Sequence, residues 1–218
     1  AAEMSDIIKA QLIIPEADGT EKASDTITYS VKKYCQHILN NSDSYDANTI
    51  AVIKKILNYG SYSQQYFSYN MANLANDMLE DTEKTLTKQA DLMKASSTFH
   101  ANNVNGIKYF GKSLILRSKT DMRIYFELTD STKKISDYTF KCDGKVLKPV
   151  QNGSKYYVDI ADITPAEYGK VFTVTVSGKN FVSSSVYDYC RSAVSSSTTD
   201  GKLKNLSVSM YELGTTVQ

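Results

Sequence analysis

The chain has few of the residues on which most enzymes and metal sites depend. Its 218 residues include two His, three Cys, three Pro and no Trp. His is the usual general base of a hydrolase, so the sequence offers at most two candidate bases. The Cys residues lack CxxC spacing, which gives no indication of a disulfide framework or a zinc site, and we expect three free thiols. GxxxxGKS/T and GxGxxG motifs are also missing, so nothing indicates a nucleotide cofactor.

Charge and hydropathy disfavour two further classes of partner. The 25 basic and 24 acidic residues leave a net charge of +1, which provides no field for attracting nucleic acid or an acidic membrane surface. No window approaches the ~20 apolar residues of a membrane-spanning helix, so we expect no membrane insertion. Residues 1–14 lack the basic start and apolar run of a signal peptide, and we expect any secretion signal to precede residue 1.

What the sequence does have is an internal repeat. Residues 29–35 (YSVKKYC) recur as residues 184–190 (SSVYDYC), and upstream residues 2–4 (AEM) parallel residues 166–168 (AEY). Downstream, a segment that starts at Ile50 parallels one that starts at Leu203. Each copy predicts strand, turn, strand, helix, loop and helix.

The first helix of each copy has one apolar stripe with the spacing i, i+3, i+4, i+7 and i+8. Ser30 and Ser185 precede these helices as N-caps, and Ser185 with Asp188 resembles a capping box. Cys35 and Cys190 take equivalent positions in the two stripes, which favours buried, unpaired thiols. The stripes consist of Val31, Tyr34, Cys35, Ile38 and Leu39, and of Val186, Tyr189, Cys190, Ala193 and Val194.

A second helix of the first copy is predicted at residues 48–69. Gly60 lies in its interior, where it would cost about 1 kcal/mol unless a close backbone contact uses it, so we expect a helix-crossing point there. The polar, Asn-rich segment that follows predicts a helix at residues 74–93 and an exposed loop at residues 96–106.

The hydrophobic period changes to two between residues 107 and 176, where about seven short strands are predicted. Asp-Gly at residues 143–144, Asn-Gly at residues 152–153 and Ser-Gly at residues 177–178 predict hairpin turns. Short strands with this spacing are typical of an antiparallel sandwich.

The predicted fold is therefore α+β, an antiparallel β-sandwich combined with helical hairpins, in which one whole module is preceded by the tail of another. We place the first domain, a β-hairpin plus helices, at residues 1–105. The second domain, the sandwich ending in a second helical hairpin, is placed at residues 106–218.

Several stretches resemble a module that is repeated in large secreted or wall-attached proteins of gram-positive gut anaerobes. They are residues 29–34 (YSVKKY), 57–70 (LNYGSYSQQYFSYN) and 73–76 (NLAN), while residues 111–116, 156–160 and 173–176 are similar to its β part. The resemblance implies an extracellular localisation, with neighbouring repeats of the same polypeptide as contacts. Some proteins with similar modules are immunoglobulin-binding superantigens, so it also implies a host immunoglobulin as partner.

The candidate nucleophile and bases favour structural roles. His37 lies on a helix beside the apolar stripe, and His100 lies in the Asn-rich loop. Cys35 precedes His37 by two positions, and residues two apart on a helix face different directions, so a catalytic dyad is not expected.

The acidic clusters also have plain interpretations. Residues 80–83 (EDTE) indicate a solvated helix face, and Asp159 with Asp162 indicates a strand end followed by a turn, not a glycosidase pair. Residues 43–48 (DSYDAN) lack the Gly and the distal Glu of an EF-hand loop, so we interpret them as a loop that caps the next helix. No catalytic residue, metal site or cofactor is predicted.

Tyrosines provide the candidate binding residues. They fall at i, i+3, i+7 and i+10 of the second helix, with Gln64 as a further polar neighbour. The row either packs on a neighbouring element, or forms an exposed patch, since Tyr offers a large rigid surface with a polar tip. The candidates are Tyr59, Tyr62, Gln65, Tyr66, Tyr69 and Asn70.

These observations predict a non-enzymatic binding module of a bacterial surface or secreted protein. The expected partner is a host protein such as immunoglobulin. Two alternatives are a structural spacer that separates neighbouring modules, and a carbohydrate-binding module, which the absence of Trp makes less attractive.

Overall fold

Residues 1–117 and 119–218 are described by a computed structural model, and they form two compact units. Unit 1 is Ala1–Thr85 and unit 2 is Leu86–Gln218. The predicted α+β class is confirmed, because each unit combines helices with antiparallel strands and unit 2 contains a two-sheet sandwich.

Unit 1 is a helical hairpin that carries a two-part β ribbon. Both helices have the side-chain caps that their sequence offers: Ser30 Oγ accepts from Lys33 N at 3.0 Å, and Asp46 Oδ1 accepts from Thr49 N at 2.9 Å. The elements are β1 (Ile8–Ala10), β2 (Ile13–Pro15), β3 (Glu21–Ala23), β4 (Ile27–Tyr29), α1 (Val31–Asn40), α2 (Ala47–Phe67) and the one-turn α3 (Asp81–Lys84), with a 3-10 turn at Ala2–Ser5 and another at Ser42–Ser44.

The apolar stripe of α1 is confirmed in part. Cys35 and Ile38 are buried in the core of unit 1, whereas Val31 and Tyr34 are exposed. Lys32 is buried instead, because its ammonium binds the loop that follows α2. The buried face of α1 is therefore rotated from the predicted stripe towards Lys32. A hydrophobic pattern cannot predict this, because Lys32 is charged.

The prediction of one helix at residues 74–93 is wrong. The segment contains two short helices, α3 and α4 (Gln89–Lys94), joined by non-helical chain. Asn and Asp side chains compete with helical hydrogen bonds, and α2 binds the backbone of this segment. Gln64 Oε1 accepts from Ala75 N at 2.7 Å, and Asn58 Nδ2 donates to Glu83 O at 2.7 Å.

The close contact predicted at Gly60 is confirmed, although no helix crosses there. A Cβ on Gly60 would lie 2.5 Å from Met4 Sδ and 2.9 Å from Ala75 Cβ. Met4 belongs to the 3-10 turn and Ala75 to the loop after α2, so Gly60 lets both approach the helix backbone.

Unit 2 is the β-sandwich followed by its own helical hairpin. One sheet has the order β10-β11-β7-β6 and the other β5-β13-β12-β8-β9. Phe126 of the first sheet stacks on Phe140 of the second, with ring centroids 4.7 Å apart. The elements after α4 are β5 (His100–Ala101), β6 (Ile107–Leu116), β7 (Thr120–Leu128), β8 (Phe140–Cys142), β9 (Lys145–Leu147), β10 (Val150–Asn152), β11 (Lys155–Ile163), β12 (Phe172–Val176), β13 (Lys179–Ser184), α5 (Val186–Ser195) and α6 (Gly201–Thr216).

The predicted hairpin turns are confirmed at residues 143–144 and 177–178, where both residues have positive φ. The third turn consists of residues 153–154, because Asn152 pairs with Lys155 as part of the ladder. Two of the predicted strands are one strand, β6, which contains a bulge between Tyr109 and Gly111.

The unit boundary precedes the predicted domain boundary at residue 105 because residues 86–105 are bonded into unit 2. The stretch predicted as an exposed loop contains β5, in which His100 pairs with Ser183 of β13. Asp188 of α5 accepts from Thr98 N at 3.0 Å and from Thr98 Oγ1 at 2.5 Å. Asp188 also forms the predicted capping box with Ser185.

The internal repeat is visible in the strand pairing. Ile8 opposes Tyr29 in unit 1, and Phe172 opposes Ser184 in unit 2, each one residue before the serine cap of the next helix. The close glycine recurs as well, since a Cβ on Gly214 would lie 3.2 Å from Tyr168 Cδ2. Unit 1 therefore has the hairpin and helices of unit 2 without the other sandwich strands.

Equivalent positions of the two helical hairpins carry different polar groups. Lys32 of α1 corresponds to Tyr187 of α5, and Asn58 of α2 corresponds to Glu212 of α6. Glu212 Oε1 accepts from the backbone N of Thr87 at 2.6 Å, so it fixes the segment before α4. None of the described helices combines the length and the apolar content that crossing a bilayer requires.

Candidate functional site

The first half of the predicted tyrosine row belongs to the interior of unit 1. Tyr59 is buried, and the Tyr62 hydroxyl donates to Lys84 O at 3.0 Å, which ties α2 to the end of α3. Tyr66 is half-buried and packs edge-on against Phe67, with ring centroids 4.9 Å apart. These contacts favour the packing role for Tyr59 and Tyr62.

The last tyrosine of the row lies outside the helix. α2 ends at Phe67, and Ser68 has a left-handed backbone with φ 52°, so Tyr69 and Asn70 lie beyond the helical face. The Tyr69 hydroxyl donates to Asp6 Oδ2 at 2.6 Å, and Gln65 Nε2 donates to Ser61 Oγ at 3.2 Å. The six candidate residues therefore do not form one continuous surface.

The polar residues of the same string hold the loop after α2. Gln64 is fully buried, and its Nε2 donates to Asn73 O at 3.0 Å while its Oε1 binds Ala75 N. Asn58 Oδ1 accepts from Asn76 Nδ2 at 2.8 Å. Most of the stretch that carries the family resemblance is thus explained by folding of unit 1.

Lys32 completes this arrangement from α1. Its ammonium donates to Asn73 Oδ1 at 2.6 Å, to Leu74 O at 2.7 Å and to Asp77 Oδ2 at 2.6 Å. Three acceptors match the three donors of a lysine ammonium, which explains how the side chain tolerates burial. The sequence did not predict this role, because Lys32 follows Val31 directly and lies outside the predicted apolar stripe of α1.

The cysteines have the environment of structural residues. All three are free and buried. Burial raises the pKa of Cys35 to about 11 and that of Cys190 to about 12, so neither is a thiolate near neutral pH. His37 lies near Asn41 on the exposed side of α1, with 3.4 Å between Nδ1 and Asn41 Nδ2.

The acidic residues are engaged in caps and ion pairs. Glu83 Oε1 lies 2.5 Å from Lys54 Nζ, and Asp159 binds Arg123 through two hydrogen bonds of 2.7 and 2.8 Å. Asp162 pairs with Lys119 at 2.9 Å. Within the described part of the chain, no three His, Cys, Asp or Glu side chains are grouped so that they could hold a metal ion.

The ribbon (residues 7–29) presents an apolar surface that sequence reasoning did not identify. Opposed residues of an antiparallel pair point to one face, so Ile8 and Tyr29 share a face with Ala10 and Ile27. Ile8 is 63% exposed and Ile27 is 69% exposed. We call these four residues the ribbon face.

In unit 2 the corresponding face is in the core. Phe172, Val174 and Val182 occupy the positions of Ile8, Ala10 and Ile27, and they are 5%, 0% and 1% exposed. In unit 2 the four-stranded sheet lies against this face, where Phe126 stacks on Phe140, and β8 and β5 pair with its two edges. An apolar face of this kind on an exposed ribbon is a candidate interaction surface.

The described residues of unit 2 line open concavities, two of which contain charged side chains. The first, about 440 Å³, lies between β9 and β11. Several of its charged groups have partners within unit 2, since Asp143 binds Lys170 at 2.7 Å and Asp159 binds Arg123 at 2.7 Å. The second, about 370 Å³, lies between β6 and the helices α5 and α6 and contains Lys112.

Comparisons with known proteins assign the chain to no family. No protein-family model matches the chain, no curated protein matches it, and no solved structure matches it. The function must therefore be inferred from the residues and geometry described above.

Proposed function

We propose that the protein is a non-enzymatic binding module of a secreted or cell-wall-attached bacterial protein, and that the ribbon face binds a host protein. The observation that carries the proposal is the exposure of Ile8 and Ile27 at positions that are buried in unit 2. Exposed apolar patches of several residues mark interaction sites more often than isolated apolar side chains do.

Unit 2 indicates what kind of partner suits this face. The equivalent residues lie against an antiparallel sheet, so the complementary surface is a sheet face or edge strand with alternating apolar residues. Immunoglobulin domains are antiparallel two-sheet sandwiches and offer such surfaces. This chemistry agrees with the host immunoglobulin that the resemblance implies.

Tyr34 of α1 extends the ribbon face next to Tyr29. Tyr34 is exposed and lies beside Tyr29, with ring centroids 6.4 Å apart. Tyr supplies a large contact area at low entropic cost. Tyr29 and Tyr34 therefore replace the α2 tyrosines as the aromatic contacts that we propose for the partner.

The repeat favours one competing function, a structural spacer. In that case a neighbouring repeat of the same polypeptide covers the ribbon face, much as the sheet does in unit 2. The two functions differ in their prediction for added immunoglobulin, which a spacer does not bind.

The test uses surface plasmon resonance with immobilised IgG and IgA and their Fab and Fc fragments. Ile27→Asp places a charge on the ribbon face, while Thr28→Asp places the same charge on the opposite face of the same strand. We expect the first substitution to weaken binding at least about tenfold and the second to change it less than about twofold. Absence of binding to every antibody fragment, or equal effects of the two substitutions, would contradict the proposal.

A further inference from the structure

The bulge in β6 brings Tyr109 and Lys112 to the same face of the sheet. Tyr109 opposes Phe126 and Lys112 opposes Ile124, with the register shift between the two pairs. Opposed residues share a face, and both Phe126 and Ile124 are fully buried. The bulge therefore directs Tyr109 and Lys112 inward at the edge strand of this sheet, as bulges near functional sites often do.

These two side chains line the cavity of about 370 Å³. The volume is at the lower end of the range for small-molecule sites. Phe99 forms the adjoining wall, with its ring centroid 5.4 Å from that of Tyr109. The remaining lining residues belong to α5, α6 and the turn between them: Tyr189, Ser192, Ala193, Thr199 and Leu203.

Lys112 supplies the charge of this cavity. Its ammonium donates to the neutral Ser184 Oγ at 2.6 Å and lies 4.4 Å from the centre of the Phe99 ring. Burial lowers the pKa of Lys112 to about 8, which is the effect of removing an ammonium from water without full compensation.

The acidic group whose charge acts on Lys112, that of Asp188, is already engaged. Asp188 accepts hydrogen bonds from Thr98 and Ser185, and Arg191 Nη2 binds it at 2.8 Å. A carboxylate ligand that enters the cavity would therefore offer Lys112 an oxygen that accepts no other hydrogen bond from the protein. Such an ion pair gains strength because the site is partly desolvated.

We propose that this cavity binds a small cyclic carboxylate, with the acid group on Lys112 and the ring against Phe99 and Tyr109. Sugar acids and aromatic acids share this chemistry. The Thr199 hydroxyl suits a hydroxylated ring, and so does the Ser192 oxygen as an acceptor, since the Ser192 hydroxyl donates its proton to Asp188 O. An aromatic acid uses the ring contacts alone. The site is built from unit 2 residues, so it is independent of the ribbon face.

The test is a titration of the isotope-labelled full chain, followed by amide NMR shifts. The probes are D-glucuronate and phenylacetate, and their neutral counterparts D-glucose and 2-phenylethanol are the matched controls. We expect saturable shifts in β6 and α5 with roughly millimolar dissociation constants for at least one acid, and at least about tenfold weaker binding of its neutral counterpart. The acid that binds more tightly identifies the source of the ligand.

Two variants locate the binding site. Lys112→Met keeps the length of the side chain and removes its charge, and Lys108→Met does the same at an exposed position on the opposite face of β6. We expect acid binding to fall at least about tenfold in the first variant and to stay unchanged in the second. Undiminished binding to a folded Lys112→Met protein, equal binding of neutral and acidic probes to the parent, or no saturable shift with either acid would overturn the proposal.

Discussion

Replacing Gly60 with Ala is expected to destabilise unit 1, although Ala is the better helix former. In an unhindered helix the change stabilises by about 1 kcal/mol. Here the new methyl group would lie 2.5 Å from Met4 Sδ and 2.9 Å from Ala75 Cβ. The Met4 side chain can turn away, but Ala75 is held by the Gln64 amide. Overpacking costs about 1–3 kcal/mol, and a contact of 2.9 Å with the fixed Ala75 methyl group places this site in the upper half of that range, about 2–3 kcal/mol. After the helix gain of about 1 kcal/mol is subtracted, we expect a net loss of roughly 1–2 kcal/mol.

The measurement is urea unfolding followed by far-UV circular dichroism. Gly201→Ala is the matched control, because its added Cβ meets no atom of another element within 4 Å. The Gly201→Ala protein should be as stable as the parent or up to about 1 kcal/mol more stable, since Gly201 is the first residue of α6. Adding Ala75→Gly to Gly60→Ala should recover part of the loss, and a double-mutant cycle measures that coupling. A Gly60→Ala protein as stable as the parent would refute the close approach at this position.

Three further outcomes are expected. Gln64→Leu should cost unit 1 about 2–3 kcal/mol in urea unfolding, because it leaves the buried backbone groups that Gln64 binds without partners, whereas Leu at the exposed Gln218 should cost under about 0.5 kcal/mol. Burial acts to raise the pKa of Asp188, but hydrogen bonds outweigh it and lower that pKa to about 2. Asp188 therefore stabilises the folded state by about 2 kcal/mol, a contribution that should be complete above about pH 5 and be lost as the pH falls through about 2. Asp188→Asn should remove this dependence from acid unfolding curves. Finally, a thiol reagent at pH 7 should label the three buried cysteines only after denaturant is added, and rapid labelling of native protein would contradict their burial.

The parts of the fold that local signals specify were predictable from the sequence. Ser30 and Ser185 cap their helices as expected, and the turns at residues 143–144 and 177–178 have the backbone that their Asp-Gly and Ser-Gly pairs favour. Such features depend on a few neighbouring residues. The single helix expected at residues 74–93 does not form, because side chains from another helix, such as Gln64, make hydrogen bonds to the backbone of this segment.

The candidate surface could not be predicted for a different reason. Ile8 and Phe172 both begin short strands in which an apolar residue alternates with a polar one, Ile-Lys-Ala in β1 and Phe-Thr-Val in β12, and this alternation does not show whether a second sheet covers the apolar side. One is exposed and the other buried because only the second has a sheet against it. The number and spacing of the α2 tyrosines predicted a binding surface, but their role depends on whether they are buried. Their burial depends in turn on the loop that Lys32 and Gln64 hold.

Lys32 and Tyr187 have a consequence for how a repetitive chain avoids misassembly. Tandem copies of similar sequence can exchange equivalent segments while they fold. The loop after α2 docks on an ammonium, which Tyr187 cannot replace, and the segment before α4 docks on the Glu212 carboxylate, whose counterpart Asn58 is neutral. Each helical hairpin thus binds its own covering segment through a different polar group, an ammonium in unit 1 and a carboxylate in unit 2. We expect these differences to disfavour the swapped pairings that the shared apolar pattern would permit.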